Sequence, residues 1–266
     1  MPPCCLNLRL YCLSKRPVKD RLDIWPALPL VIEGNMNMDI IITALGQSNR
    51  VCHVILGLAG CQSLALMQVP FPELTDLCLR TDDGTQPVIS DSFLGGSAPR
   101  LRTLQFYSVP FPGLLKLLLS TTHLVELSFY NIPHSWYMSP EAMVICFSML
   151  SSLKRLYLAF ESPHSHPDWE SRSLPPPKRS ILPNLHKFQF KGITKYLEEL
   201  VIPIDAPQID QMHMNFFNQI NSSCPRLAQF INCTPMLRAL EEACVRFYDT
   251  RAIITLQYPK YKYSLG

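Results

Sequence analysis

Long apolar runs are missing from this chain: the longest, such as "MDIIITAL" and "LLKLLL", fall far short of the roughly 20 residues a membrane-spanning helix needs. Blocks of like charge are missing too. No Lys/Arg run exceeds a pair and the formal net charge is +3, so the electrostatic footprint of a nucleic-acid binder is absent. The opening "MPPCCLNLRLYCLSKR" alternates apolar and polar residues and has no uninterrupted hydrophobic region followed by a cleavage site. An intracellular chain, cytoplasmic or nuclear, is the expectation, with neither membrane nor nucleic acid among its partners.

Catalytic signatures are equally scarce. The chain has no G-x-S-x-G elbow, no H-E-x-x-H and no G-x-x-x-x-G-K-[ST], and "LGGSAP" carries a glycine pair without the context that cradles a phosphate. Ten cysteines are present but nowhere form C-x-x-C, the spacing a zinc or redox site would use. Reduced thiols, several of them buried as small hydrophobes, are expected. His164, His166, Asp168 and Glu170 could hold a metal on paper, yet they sit in a proline-rich loop with nothing to fix ligand geometry. The expectation is no enzyme, no metal and no cofactor.

What the chain does contain is apolar mass and a period. Its 266 residues are 47% hydrophobic and 17% charged, enough to bury a sizeable core in one elongated domain or two ordinary ones. "PRLRTLQFY" and "THLVELSFY" share one spacing, with apolar residues at i, i+3 and i+5. The same frame starts at Trp25, Val51, Leu74, Leu101, Leu124, Leu153, Leu185, Ile209 and Leu240, at intervals of 23 to 32 residues. Side chains at i+3 and i+5 share one face of a strand, and i plugs the turn that enters it. A short strand plus a returning segment, stacked on its neighbours, is the leucine-rich-repeat arrangement. At about 1.5–3 kcal/mol per buried large side chain, stacked layers supply a core that no single unit has.

The spacing therefore predicts an α/β leucine-rich-repeat solenoid: a curved parallel sheet with short helices and loops on its convex side. Residues 1–24 form an edge segment, 25–250 about nine irregular repeats with a proline-rich exposed insertion at 162–183, and 251–266 a cap or tail. "SPEAMVICFSMLSSL" predicts a helix with Ser139 as N-cap and Pro140 in its first turn. Short helices are also expected in "NMDIIITALGQ", "KYLEELVI" and "NFFNQI", whereas "FPGLLKLLL" and "DSFLGG" allow a helical turn or an irregular loop. Leu6, Leu8 and Leu10 open the array without a polar cap, which favours self-association at that edge.

The phrases "VPFPELTDLCL", "VISDSFLGGSAPRLRTL", "PFPGLLKLLLSTTHLVELSFYNIPHS", "YMSPEAMV", "LSSLKRLYLAFESP" and "CPRLAQFINCTPMLRALEEA" resemble the repeat region of F-box leucine-rich-repeat proteins of mushroom-forming fungi. The resemblance runs over roughly residues 6 to 250. It implies a repeat array that presents substrates to a cullin-RING ubiquitin ligase, with an N-terminal F-box docking on a Skp-type adaptor. No L-P-x-E-[IL]-L phrase of that module occurs in the first 30 residues, so the adaptor is a partner only if an F-box lies upstream. A late-starting reading frame, a shortened paralogue and a degenerate copy without a selected partner all fit this departure.

If i+3 and i+5 face inward, i+2, i+4 and i+6 face the opposite way. From the second strand onward these positions collect polar and aromatic residues, among them His53, Asp76, Arg80, Tyr107, Glu126, Ser128, Tyr130, Arg155, Tyr157, Lys187, Gln189, Lys191, Gln211, His213 and Asn215. Tyr and Arg are enriched where protein partners dock. Tyr107, Glu126, Tyr130, Arg155, Tyr157, Lys187 and Gln189, with Trp169 of the proline-rich loop, are the candidate partner-binding residues. The expected function is a non-enzymatic protein–protein interaction scaffold.

Overall fold

The computed structural model describes residues 8–11, 28–34, 38–58, 62–81, 89–110, 113–163, 179–217, 224–240, 243–248 and 251–257. They form a mixed α/β protein in two compact units, residues 1–124 and 125–266.

In the first unit five strands run in parallel and pair in chain order: β1 (Leu8–Tyr11), β2 (Leu30–Gly34), β3 (Val51–Gly57), β4 (Asp76–Arg80) and β5 (Thr103–Tyr107). Between them lie α1 (Met38–Leu45), α2 (Gln62–Leu66) and a 3-10 turn at Phe93–Gly96; α3 (Leu114–Ser120) follows β5. The glycine pair does break the chain: Leu94, Gly95 and Gly96 all have positive φ, a region in which only glycine is unstrained. A Cβ on Gly95 would come within 2.8 Å of Pro70 Cγ. The "LLKLLL" part of "FPGLLKLLL" lies in the seven-residue α3, which buries Leu114, Leu117 and Leu118.

The second unit holds β6 (Glu126–Ile132), α4 (Pro140–Phe147), β7 (Arg155–Phe160), β8 (Ser180–Ile181), β9 (Lys187–Gly192), α5 (Thr194–Val201), β10 (Ile204–Asp205), β11 (Gln211–Phe217), α6 (Pro225–Cys233), α7 (Pro235–Arg238), β12 (Ala243–Tyr248) and β13 (Arg251–Gln257). Its main sheet has the order β6-β7-β9-β11-β13-β12, parallel up to β11 and antiparallel beyond. β8 and β10 make a small parallel pair of their own. Ser139 caps α4 as expected, its Oγ accepting from Ala142 N at 3.3 Å. Glu198 of α5 caps α6 from outside, its carboxylate accepting from Arg226 N at 2.9 Å; this satisfies a donor that the helix cannot.

The frame found in the sequence is the core. In the seven frames from Val51 to Ile209 every side chain at i, i+3 and i+5 is at most 2% exposed. From Leu74 onward the structure adds a fourth position. The N–H of residue i donates to the carbonyl of i−3 in Leu74→Phe71, Leu101→Ala98, Leu124→Thr121, Leu153→Leu150, Leu185→Leu182 and Ile209→Ala206. Each of those i−3 residues is buried. Within each unit the i+1 carbonyl then accepts from the next repeat. Thr75 O receives Arg102 N and Thr103 N, Lys154 O receives His186 N and Lys187 N, and His186 O receives Asp210 N and Gln211 N. Parallel stacking is thus fixed by backbone hydrogen bonds at the turn as well as along the strand.

Aromatic residues fill the second unit between sheet and helices. The Tyr196 ring of α5 lies 4.7 Å from Phe160, 5.8 Å from Tyr137 and 6.0 Å from Phe190, and its hydroxyl donates to Met138 O at 3.0 Å. Gly192 admits this cluster, since a Cβ there would meet Phe190 Cζ at 2.6 Å. Cys78 and Cys146 are buried free thiols, and burial pushes the Cys146 thiol up to about 12.

Four expectations are corrected. The first frame starts at Trp25, outside the described residues, and its register is shifted: Leu30, Val31 and Ile32 of β2 are all buried, and Ile32, not Leu28, sits opposite Val54. "NFFNQI" does not begin a helix at Phe216, because alternation carries β11 through Phe217. The ninth frame keeps its turn, with Leu240 N donating to Leu237 O, but Val245 is 46% exposed. Its strand is excluded from the place beside β11 because β13 pairs there, so β12 lies one strand further out. Residues 251–257 are therefore a sheet strand. Fourth, the end of the 162–183 segment is not an exposed loop: Ser180 is buried, its Oγ donating to Val144 O at 2.9 Å, and Leu182 is in the core. Trp169, His164, His166, Asp168 and Glu170 lie outside the described residues.

Candidate partner-binding face

Inward leucines leave an outward grid whose rows are set by strand register. On the second unit the first row reads Glu126, Arg155, Lys187, Gln211, Gln257, and the second Ser128, Tyr157, Gln189, His213, Thr255. Ala159, Lys191, Asn215 and Ile253 make a third row. Leu127 and Leu156 face the core whereas Tyr130 and Tyr157 stay half-exposed, as period-two alternation requires.

Six predicted residues come together here: Glu126, Tyr130, Arg155, Tyr157, Lys187 and Gln189. The Tyr130 and Tyr157 rings lie in contact, with centroids 4.2 Å apart and planes tilted by 30°. Burial, and secondarily Tyr130, raises the Tyr157 phenol above its ordinary value. Arg155 Nε donates to Glu126 Oε2 at 2.6 Å, and a second guanidinium nitrogen lies 2.5 Å from the same oxygen. Lys187 is the next residue across from Arg155, yet among the described residues no carboxylate comes within ion-pair distance of it. Lys191 extends over the Phe217 ring at 5.3 Å. Ser128, expected to face outward, is buried; its small side chain lies across from the far larger Tyr157.

Lys187 and Gln189 also line a cavity of about 90 Å³ with Gln211, His213, Thr255 and Gln257. His213 Nδ1 and Thr255 Oγ1 are 2.9 Å apart. Burial, then the charge of Lys187, holds the imidazole below its ordinary value. Thr255 and Gln257 were invisible to the repeat frame because they belong to an antiparallel strand outside it. The polar alternation of "RAIITLQ" was the available signal.

Tyr107 lies in the first unit, with the Arg80 guanidinium carbon 4.5 Å from its ring centroid, a cation–π contact. That unit has its own charged row. His53 Nδ1 is 3.7 Å from Asp76 Oδ2, and its Nε2 is 3.9 Å from Glu33 Oε1. His53 is the main influence that lowers Asp76 to about 2, with Thr103 and Thr75 hydroxyls assisting against partial burial; Thr75 Oγ1 donates to Asp76 Oδ2 at 2.7 Å.

Among the described residues no helix is long and apolar enough to cross a membrane, and no group of three His, Cys, Asp or Glu side chains could hold a metal. Compared with known protein families, curated proteins and solved structures, the chain matches none.

Proposed function

We propose that the chain is a non-enzymatic protein-binding scaffold whose units are stacks of leucine-rich-repeat turns. It is similar to the substrate-recognition region of an F-box ubiquitin-ligase receptor. The carrying observation is the unit of a buried i−3, i, i+3 and i+5, closed by the same turn hydrogen bond from Phe71 to Ile209. A repeat of that kind spends its apolar residues on stacking and leaves a sheet face for recognition. On the second unit that face presents the Tyr130–Tyr157 pair beside Arg155, the residue types that dominate binding energy at interfaces. A Skp-type adaptor belongs to this reading only through an F-box upstream.

The test is affinity capture with the purified chain, followed by quantitative binding of any recovered protein. Tyr130→Ala with Tyr157→Ala weakens a true partner by about 30-fold or more, as loss of a hot-spot residue does. Recovered proteins that bind wild type and double variant equally, or none recovered at all, defeat the scaffold reading and leave a copy without a selected partner.

A further inference from the structure

We infer that the groove over β9, β11 and β13 receives a carboxylate side chain from an acidic, extended segment of the partner protein. This rests on the scaffold reading and names the chemistry of what docks.

The groove is built from two rows of side chains on three adjacent strands: Lys187, Gln211 and Gln257 in one, Gln189, His213 and Thr255 in the other. The rows lie two residues apart along the strands, a distance of about 6–7 Å. An ammonium, three primary amides, an imidazole and a hydroxyl thus converge on about 90 Å³. That space suits a planar group of a few atoms. Lys187 sets the sign of the occupant, since among the described residues no carboxylate pairs with it. Two acids on neighbouring strand positions lie against other residues: Glu126 holds Arg155, and Asp210 lies 3.9 Å from His186. One step along β11, Asn215 Oδ1 is buried without a hydrogen-bond partner, so polar capacity on this face exceeds what the chain itself satisfies.

Counted over the three rows, Arg155, Lys187 and Lys191 stand against Glu126 alone. The excess is positive but small. A nucleic-acid strand, with a phosphate at every nucleotide, is bound by a track of cations; this face offers separated charges, one already neutralised. An acidic peptide fits better. An extended chain alternates side chains with the same period as the sheet, so an acid in the groove turns its immediate neighbours away from the face and brings the residues two positions on back to it.

Protonation adds a second handle. His213 is faced by Lys187 and Gln189 from β9 and by Thr255 and Gln257 from β13. Neutral at pH 7.5, it gains charge on acidification, so carboxylate binding tightens as pH falls, until the ligand's own acids protonate near about pH 4.3.

The experiment measures fluorescence anisotropy of the full chain with a labelled hexaglutamate peptide at low salt. Hexaglutamine, hexalysine and a six-nucleotide single-stranded DNA serve as competitors. Hexaglutamate binds and the competitors displace it poorly. Lys187→Glu and Lys187→Gln each weaken it, the reversal by about 10-fold, while Lys187→Arg stays within about 3-fold of wild type. His213→Gln abolishes the tightening between pH 7.5 and 5. Circular dichroism and thermal melting confirm that each variant is folded. The inference is overturned by absence of hexaglutamate binding, by equal binding of hexaglutamine, by preference for the oligonucleotide, or by indifference to Lys187→Glu. The two readings fail separately: a partner that needs Tyr130 and Tyr157 but ignores Lys187→Glu removes the groove and keeps the scaffold.

Discussion

At the scale of single residues, Glu199 is an acid poorly served by its surroundings. Its Oε2 is buried with no hydrogen-bond partner. Burial is the chief cause that raises its carboxyl above the ordinary value; Lys195 opposes this and Glu141 adds to it. A carboxyl raised in the folded state penalises folding wherever it is ionised, that is, above its folded value, and the penalty vanishes below its unfolded one. Glu199→Gln therefore raises Tm at pH 7 by about 1–3 °C, and the difference closes by about pH 4. An unchanged or lower Tm at pH 7 would show that the carboxylate is satisfied. Asp76 behaves oppositely. Its carboxyl is lowered to about 2, chiefly by His53, so its contribution to stability is complete above the ordinary carboxylate range and is lost as pH falls toward 2. Carbon-detected NMR titration of His53→Ala should find Asp76 about 1 unit higher; no movement would assign the shift to the threonine hydroxyls.

At the scale of the element, the repeat has two kinds of inward residue and only one was legible. The strand positions announce themselves because leucine and phenylalanine recur at i, i+3 and i+5, as in Leu124, Leu127 and Phe129. The i−3 position does not, since its occupants Phe71, Ala98, Thr121, Leu150, Leu182 and Ala206 share burial and a turn but no side-chain chemistry. Where the site is large it matters as much as the strand. Leu182→Ala, like Leu127→Ala, costs about 2–5 kcal/mol, measurable by urea unfolding at constant m; a cost under about 1 kcal/mol at Leu182 would mean that the turn is held by its backbone alone. Helix ends were legible when chemistry was local: Ser139 before Pro140 and Glu141 marks α4, and Ser139→Ala removes the cap to Ala142 N. Elements that depend on distant chain were not. Nothing in "NFFNQI" says that Phe216 continues a strand; its place between β9 and β13 does. Of the candidate site, Tyr130, Arg155, Tyr157, Lys187 and Gln189 followed from alternation, while Thr255 and Gln257 needed the antiparallel return of β13.

At the scale of the whole molecule, the decisive event is how the parallel stacking stops. A sheet assembled by adding parallel strands always ends on an edge with unpaired N–H and C=O groups, and such edges recruit other chains. In the second unit β13 pairs antiparallel along β11 from Gln211 to Phe217 and β12 follows as a further antiparallel strand, so the edge passes from β11 to β12, whose residues are all exposed. The same β13 supplies Thr255 and Gln257 to the groove, so the cover over β11 and the third wall of the candidate face are one structure. A chain shortened to end at Leu240 loses both. It retains the seven buried frames from Val51 to Ile209 but uncovers β11, whose free edge carries the period-two pattern that templates strand addition. Sedimentation velocity over a range of concentrations should show the shortened chain associating more strongly than the full one. Appending residues 241–257 as a separate peptide should reverse that shift. If the shortened chain sediments as a concentration-independent monomer with an intact circular dichroism spectrum, β13 is not what protects the edge, and the termination of the array must be sought in α6 and α7.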